Sequence, residues 1–326
     1  MSFSSEVKKE LNTQTGSARH CQIAELAGIF VPTARIMVRK AKDGSVRDIL
    51  LIFQTENKYV ARKQQYLLKK TFGIDPECTV RRTFRNNPLR IYELTVSEKK
   101  TDGGVTQILS TLKREELLPC EGTLVISSLE SGAADRRILR SDCCRRAFIR
   151  GAFLASGSIS DPQKSYHFEI VCYMRDQAEQ IREIINSYDM DAKIITRKKY
   201  FVVYVKESEQ IADLLKVMGA YRKVLDLEDL RVLKDVRNNV NRKVNCETAN
   251  SLKTVEAAQG QIDAILKIRD TMGMEALPEN LRIVANVRLE NPDVALQELG
   301  TLFDPPLSKS CVNHRLRKIR EIAEEI

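Results

Sequence analysis

The 326-residue chain is 43% hydrophobic and 30% charged, a globular balance rather than a disordered one, and long enough for two or three domains at ~100–200 residues each. No stretch is apolar enough to span a bilayer, and the start MSFSSEVKKELN lacks the apolar core of a secretory signal, so a cytoplasmic protein without a membrane partner is expected. The net charge of +9 is uneven: residues 1–225 carry 38 Lys and Arg against 27 Asp and Glu, residues 226–326 carry 15 against 17, and a basic surplus of this kind suits a polyanion such as nucleic acid.

A short helix is expected over SSEVKKEL. From Ser17 the pattern becomes one long unit, about 18–115. A helix from Ala18 to about Phe30 ends near Pro32, and strands 34–40 and 47–55 flank an Asp43-Gly44 turn. A helix from about Glu56 to Phe72 closes at Gly73. Strands 78–84 and 90–97 flank Asn86-Asn87-Pro88, and a helix over about 105–114 completes the unit. The order then repeats over about 140–220. There a helix from Asp142 to about Ala155 precedes strands near 158–160 and over 166–173. A helix over 175–188, strands 192–198 and 200–206, and a helix from Glu209 that closes at Gly219 follow. The copies are offset by the spacing of Gly28 and Gly151. An internally duplicated α+β unit is the strongest signal of fold.

The two leading helices read AELAGIFVPTA (24–34) and FIRGAFLASGS (148–158). Both resemble the LAGLIDADG motif of homing endonucleases. The resemblance implies that the motif helices pack against each other and that two sheets form a DNA saddle. Ala24 with Gly28, and Gly151 with Ala155, place small residues four apart, which lets helix backbones approach. A nuclease of that type needs a carboxylate near the end of each motif helix to hold a divalent metal. Those positions hold Thr33 and Ser156 here, so the catalytic pair is degenerate and no metal or other cofactor is expected. Asp161 lies beyond the second helix. On the strands, alternation gathers Thr79, Arg81, Thr83 and Arg85 on one face, and Arg35 and Arg39 on another. Lys193, Arg197 and Lys199 add charge in the second unit, and all of these could meet DNA backbone.

The eight cysteines (21, 78, 120, 143, 144, 172, 246, 311) form no Cys-x-x-Cys, and the chain has three histidines. Zinc is therefore not expected, and reduced, mostly buried thiols are. Residues 1–222 form the duplicated domain and 223–326 a helical linker with a C-terminal helix-turn-helix. The linker reads as two or more helices, broken by the Asn-rich stretch 238–250. A further helix is expected over 278–289.

The helix-turn-helix is placed at about 291–322. Asn291-Pro292-Asp293 offers the first helix start, and Leu296, Leu299 and Phe303 repeat at helical spacing. Asp304-Pro305-Pro306 stops that helix, and Ser308 caps the second. Val312, Leu316, Ile319 and Ala323 form one apolar stripe. Opposite it lie Ser310, His314 and Arg317, with Asn313 at the edge. Lys309, Arg315 and Lys318 add charge, and no acid occurs from Ser308 to Arg320. Such a face suits the major groove of double-stranded DNA, where Asn reads adenine and Arg reads guanine.

A degenerate LAGLIDADG tandem followed by this helix-turn-helix resembles the WhiA family of bacterial DNA-binding proteins over nearly the whole chain. RAFIRGAFLASGSISDP (146–162), NRKVNCETAN (241–250) and LQELGTLFDPPLSKSCVNHRLRKI (296–319) carry the resemblance. It implies roles in sporulation, cell division and chromosome segregation. The expected activity is non-catalytic, sequence-specific DNA binding by a nucleoid-associated monomeric regulator, with another transcription or division protein as a candidate partner. The alternatives are a metal-dependent nuclease using displaced acids and a protein-interaction scaffold. Thr33 and Ser156 argue against the first, and the polar face of the last helix against the second.

Overall fold

The computed structural model describes residues 2–40, 45–82, 89–118 and 132–326. It separates into two compact units, Met1–Val232 and Leu233–Ile326. The expected turns at Asp43-Gly44 and Asn86-Asn87-Pro88, together with Thr83, Arg85 and Cys120, lie outside the described residues.

In the first unit a leading helix, α1 (Phe3–Thr13), precedes two copies of one pattern. The first copy is α2 (Arg19–Thr33), β1 (Ala34–Lys40), β2 (Val46–Thr55), α3 (Lys58–Phe72), β3 (Glu77–Arg82), β4 (Arg90–Ser97) and α4 (Gly104–Thr111). The second is α5 (Asp142–Ser156), β5 (Gly157–Ile159), β6 (Phe168–Cys172), α6 (Arg175–Asn186), β7 (Lys193–Arg197), β8 (Tyr200–Val205) and α7 (Ser208–Met218). Each copy makes a four-stranded antiparallel sheet with the same strand order, β1-β2-β4-β3 and β5-β6-β8-β7. The duplicated α+β architecture is as expected. Gly73 and Gly219 close α3 and α7 in the left-handed conformation that terminates helices without a Cβ penalty.

The helix α2 runs one turn further than expected and includes Pro32. A proline this close to a helix end removes one hydrogen bond, and the last turn is held by Ala34 N–H to the Phe30 carbonyl. Both motif helices are buried nearly all round, as helices at the centre of a core must be. They touch backbone to backbone. A Cβ on Gly28 would lie 2.3 Å from the Phe148 carbonyl oxygen, and one on Gly151 would lie 2.1 Å from that of Glu25.

One ion network crosses this contact. The fully buried Glu25 accepts from Arg150 Nε at 3.1 Å and Nη2 at 3.0 Å, and Lys63 Nζ lies 3.1 Å from the same carboxylate. Arg150 also donates to the Met218 carbonyl at 3.1 Å, and Lys63 to Thr15 Oγ1 at 2.7 Å and to the Gln14 carbonyl. Every charge in the network is thus paired and hydrogen-bonded.

The expected Asn-rich break near 238–250 does not occur. A single helix, α8 (Tyr221–Thr271), runs through it. Each Asn costs no more than about 0.7 kcal/mol against Ala, their side chains are exposed, and no Gly or Pro occurs before Gly260, so nothing there is strong enough to break a helix. In the second unit follow α9 (Glu279–Glu290), α10 (Leu296–Thr301) and α11 (Lys309–Glu325). The seven described cysteines are all free. Cys21, Cys144 and Cys172 are buried, Cys78, Cys143 and Cys246 are exposed and Cys311 is half-buried, so the thiols are not mostly buried as expected.

Candidate nucleic-acid interface

The C-terminal helix α11 sorts its residues as its sequence requires. Val312, Leu316, Ile319 and Ala323 are all buried, against a small core that includes Ile265, Leu281, Val284 and Leu299. Ser308 caps the helix by accepting from Cys311 N–H at 3.3 Å. Lys309, Ser310, Asn313, His314, Arg317 and Lys318 are exposed, and Arg315 is half-buried beside the stripe. Arg317 Nε contacts Glu321 at 3.0 Å one turn on. An exposed pair of this kind is worth under about 1 kcal/mol, too little to hold the Arg317 side chain in place.

The helix before the turn starts later than expected. Asn291 caps the end of α9, and α10 begins only at Leu296 and ends at Thr301, short of Phe303. The reason is Arg288, 1% exposed, whose guanidinium donates to the Asn291 carbonyl at 3.2 Å and to the Val294 carbonyl at 2.6 Å. Those carbonyls hold 291–294 as a loop rather than a first helical turn. Gly300 then lets the following turn pack against α10, since a Cβ there would lie 2.3 Å from the Leu307 carbonyl oxygen. Sequence reasoning missed Arg288; nothing in its flanking residues marks it as a buried arginine.

The sheet faces carry less free charge than the strands imply. Register places Arg35, Arg39, Thr79, Arg81 and Glu93 on the outer face of the first sheet, away from the buried Leu51, Phe53 and Leu94. Arg81 pairs with Glu93 at 3.1 Å. On the second sheet Lys193, Arg197 and Glu169 share the outer face. Glu169 accepts from Ser158 at 3.0 Å and pairs with Arg197 at 3.4 Å, and Lys193 pairs with Asp191 at 3.1 Å. Lys199 lies over the Tyr200 ring at 5.4 Å. The two glutamates were not picked out from sequence, although alternation along their strands places them on that face.

At the base of the first sheet a cleft of about 800 Å³ is lined by Lys8, Thr33, Arg35, Lys58 and Arg90, with Glu56 the acid among its lining residues. Burial alone pushes Lys8 down to about 8. The Thr33 hydroxyl at this cleft is engaged by the protein itself. It donates to the Ile29 carbonyl at 2.7 Å and accepts from Gln64 at 2.8 Å. Ser156 donates back to the Ala152 carbonyl at 3.3 Å. Asp161 takes the Gln163 N–H at 3.0 Å within an exposed turn. No helix of the described residues is long and apolar enough to cross a membrane.

Comparison with known proteins gives three matches in chain order: the WhiA N-terminal LAGLIDADG-like domain over residues 19–113, the WhiA LAGLIDADG-like domain over 145–237, and the WhiA C-terminal HTH domain over 240–323. Relatives named "Probable cell division protein WhiA" include that of Lachnoclostridium phytofermentans, 45% identical over 99% of both chains. That of Lachnospira eligens is 45% identical over 100% of this chain and 98% of its own. The crystal structure of full-length DUF199/WhiA from Thermatoga maritima matches with a TM-score of 0.56 at 25% identity, over 100% of this chain and 99% of that one. With three domain models of one family in chain order and relatives 45% identical along almost their whole length, the chain belongs to the WhiA family.

Proposed function

We propose that the chain is a non-catalytic, sequence-specific DNA-binding regulator whose base-reading element is α11. It would act in the bacterial cytoplasm at the nucleoid, as a monomer, in cell division, chromosome segregation and sporulation. The observation that carries this reading is the segregation on α11. Four apolar residues are buried on one side, while Ser310, Asn313, His314 and Arg317 face outward among Lys309 and Lys318. Asn313 and Arg317 lie one turn apart and can each make a bidentate base contact worth about 1–3 kcal/mol of discrimination.

Two kinds of variant separate base reading from simple attraction. With a cognate site selected from genomic fragments, Asn313→Ala or Arg317→Ala is expected to weaken cognate binding roughly ten- to hundredfold while leaving non-specific binding almost unchanged. Arg315→Ala, beside the buried stripe, is expected to weaken both alike and to reduce the log–log salt slope by about one. Folded Asn313→Ala and Arg317→Ala proteins that keep the wild-type preference would move specificity to another surface. Partial neutralisation by Glu93 and Glu169 supports a secondary role for the sheets, with Arg35, Arg39, Arg81, Arg197 and Lys199 as backbone contacts. Arg85, on the same strand pattern as Arg81, is a further backbone contact in this reading.

The inward-bonded hydroxyls of Thr33 and Ser156 support the non-catalytic reading. Supercoiled plasmid incubated with the pure protein and Mg²⁺ or Mn²⁺ is expected to stay intact. Nicking that disappears in Asp161→Ala would favour the nuclease alternative.

A further inference from the structure

The fold gathers side chains that the sequence scatters. His20 Nδ1 lies 3.1 Å from Cys144 Sγ, 3.5 Å from Cys21 Sγ and 4.0 Å from Cys143 Sγ. The four potential ligand atoms all fall within 4.8 Å of one another. A tetrahedral zinc ion with Zn–S of about 2.3 Å and Zn–N of about 2.0–2.1 Å needs ligand atoms roughly 3.5–3.8 Å apart. Small side-chain adjustments therefore complete the polyhedron without moving either helix. The ligands come from the first turns of α2 and α5, at the end of the helix pair opposite Thr33 and Ser156. Their placement also follows the duplication. His20 and Cys143 are 123 residues apart, the spacing that carries Gly28 onto Gly151, and the same spacing carries Cys21 onto Cys144. The two repeats thus present equivalent positions to one point. Cys21 and Cys144 are buried, whereas His20 and Cys143 are exposed, which leaves an ion a route in.

We propose that His20, Cys21, Cys143 and Cys144 hold one zinc ion in a closed, four-ligand structural site that ties the two repeats together. Three thiolates and an imidazole are soft to borderline donors, the set that selects zinc over calcium or magnesium. The spacing leaves room for a single ion and not for a multi-iron cluster. Binding releases the three thiol protons to solvent and changes no oxidation state.

The test uses the full chain, purified under reducing conditions, stripped with a chelator and titrated with Co²⁺. The expected result is one equivalent of cobalt, with the visible bands of a tetrahedral ion and a near-ultraviolet sulfur-to-cobalt charge-transfer band, both abolished by added Zn²⁺. Cys143→Ser and His20→Asn change exposed ligands, and circular dichroism should show both folded. Each is expected to weaken cobalt binding by roughly a hundredfold or more, at or beyond the upper end of outer-shell changes. Cys78→Ser and Cys246→Ser, at exposed thiols outside the cluster, should bind as wild type does. Absence of tetrahedral cobalt bands in the reduced wild type overturns the proposal. So does undiminished binding in folded Cys143→Ser and His20→Asn, or several irons per chain in the protein as isolated.

Discussion

Glu25→Ala is expected to destabilise the first unit by about 3–5 kcal/mol, because it strands two cations that the carboxylate now neutralises. Arg150 and Lys63 would keep their backbone and hydroxyl partners but lose the only counter-charge that the network gives them. The effect comes from the uncompensated charges rather than from the worth of the pairs themselves. Replacing the whole set, with Glu25→Leu, Arg150→Met and Lys63→Met, is therefore expected to recover most of the loss. Urea unfolding followed by a probe in the first unit checks both. A loss below about 1 kcal/mol in the single variant would mean that water reaches these groups and screens them.

Alanine at Gly28 or Gly151 is the second large effect. Alanine normally favours a helix over glycine by about 1 kcal/mol. Here the added methyl meets a carbonyl oxygen of the facing helix at 2.3 Å or 2.1 Å, and a backbone oxygen cannot rotate away as a side chain would. Overpacking costs about 1–3 kcal/mol and sits at the upper end when backbone must move, so each variant is expected to lose about 2 kcal/mol net. Gly260 provides the contrast. A Cβ there meets nothing within 4 Å, and Gly260→Ala is expected to gain about 0.5–1 kcal/mol. Equal shifts at all three glycines would falsify the close-packed helix pair.

Much of this was legible beforehand because short-range rules dominate it. Alternation located the strands, Gly73 and Gly219 closed their helices, and the stripe Val312, Leu316, Ile319 and Ala323 marked the buried side of the last helix. What sequence reasoning misjudged depends on neighbours distant along the chain or on relative magnitudes. The asparagines of α8 look like a break only if their small penalties are treated as decisive. The loop at 291–294 depends on Arg288, which only the fold buries. Counting Cys-x-x-Cys motifs missed the thiols that α2 and α5 bring together, although the repeat spacing between Gly28 and Gly151 already aligns them.

The ion network makes the two halves unlike at their contact. Repeat spacing places Phe148 where the first half has Glu25, and Ala27 where the second has Arg150. The bidentate contact therefore crosses the helix pair once and has no mirror image. Two second halves associating with each other would bury two guanidinium groups with no carboxylate opposite either. Two first halves would present Glu25 to Ala27. An ancestral symmetric homodimer would tolerate exchange of its subunits, whereas this pair has become lock and key. Severing the chain between the repeats should yield fragments that recombine only as a heterodimer.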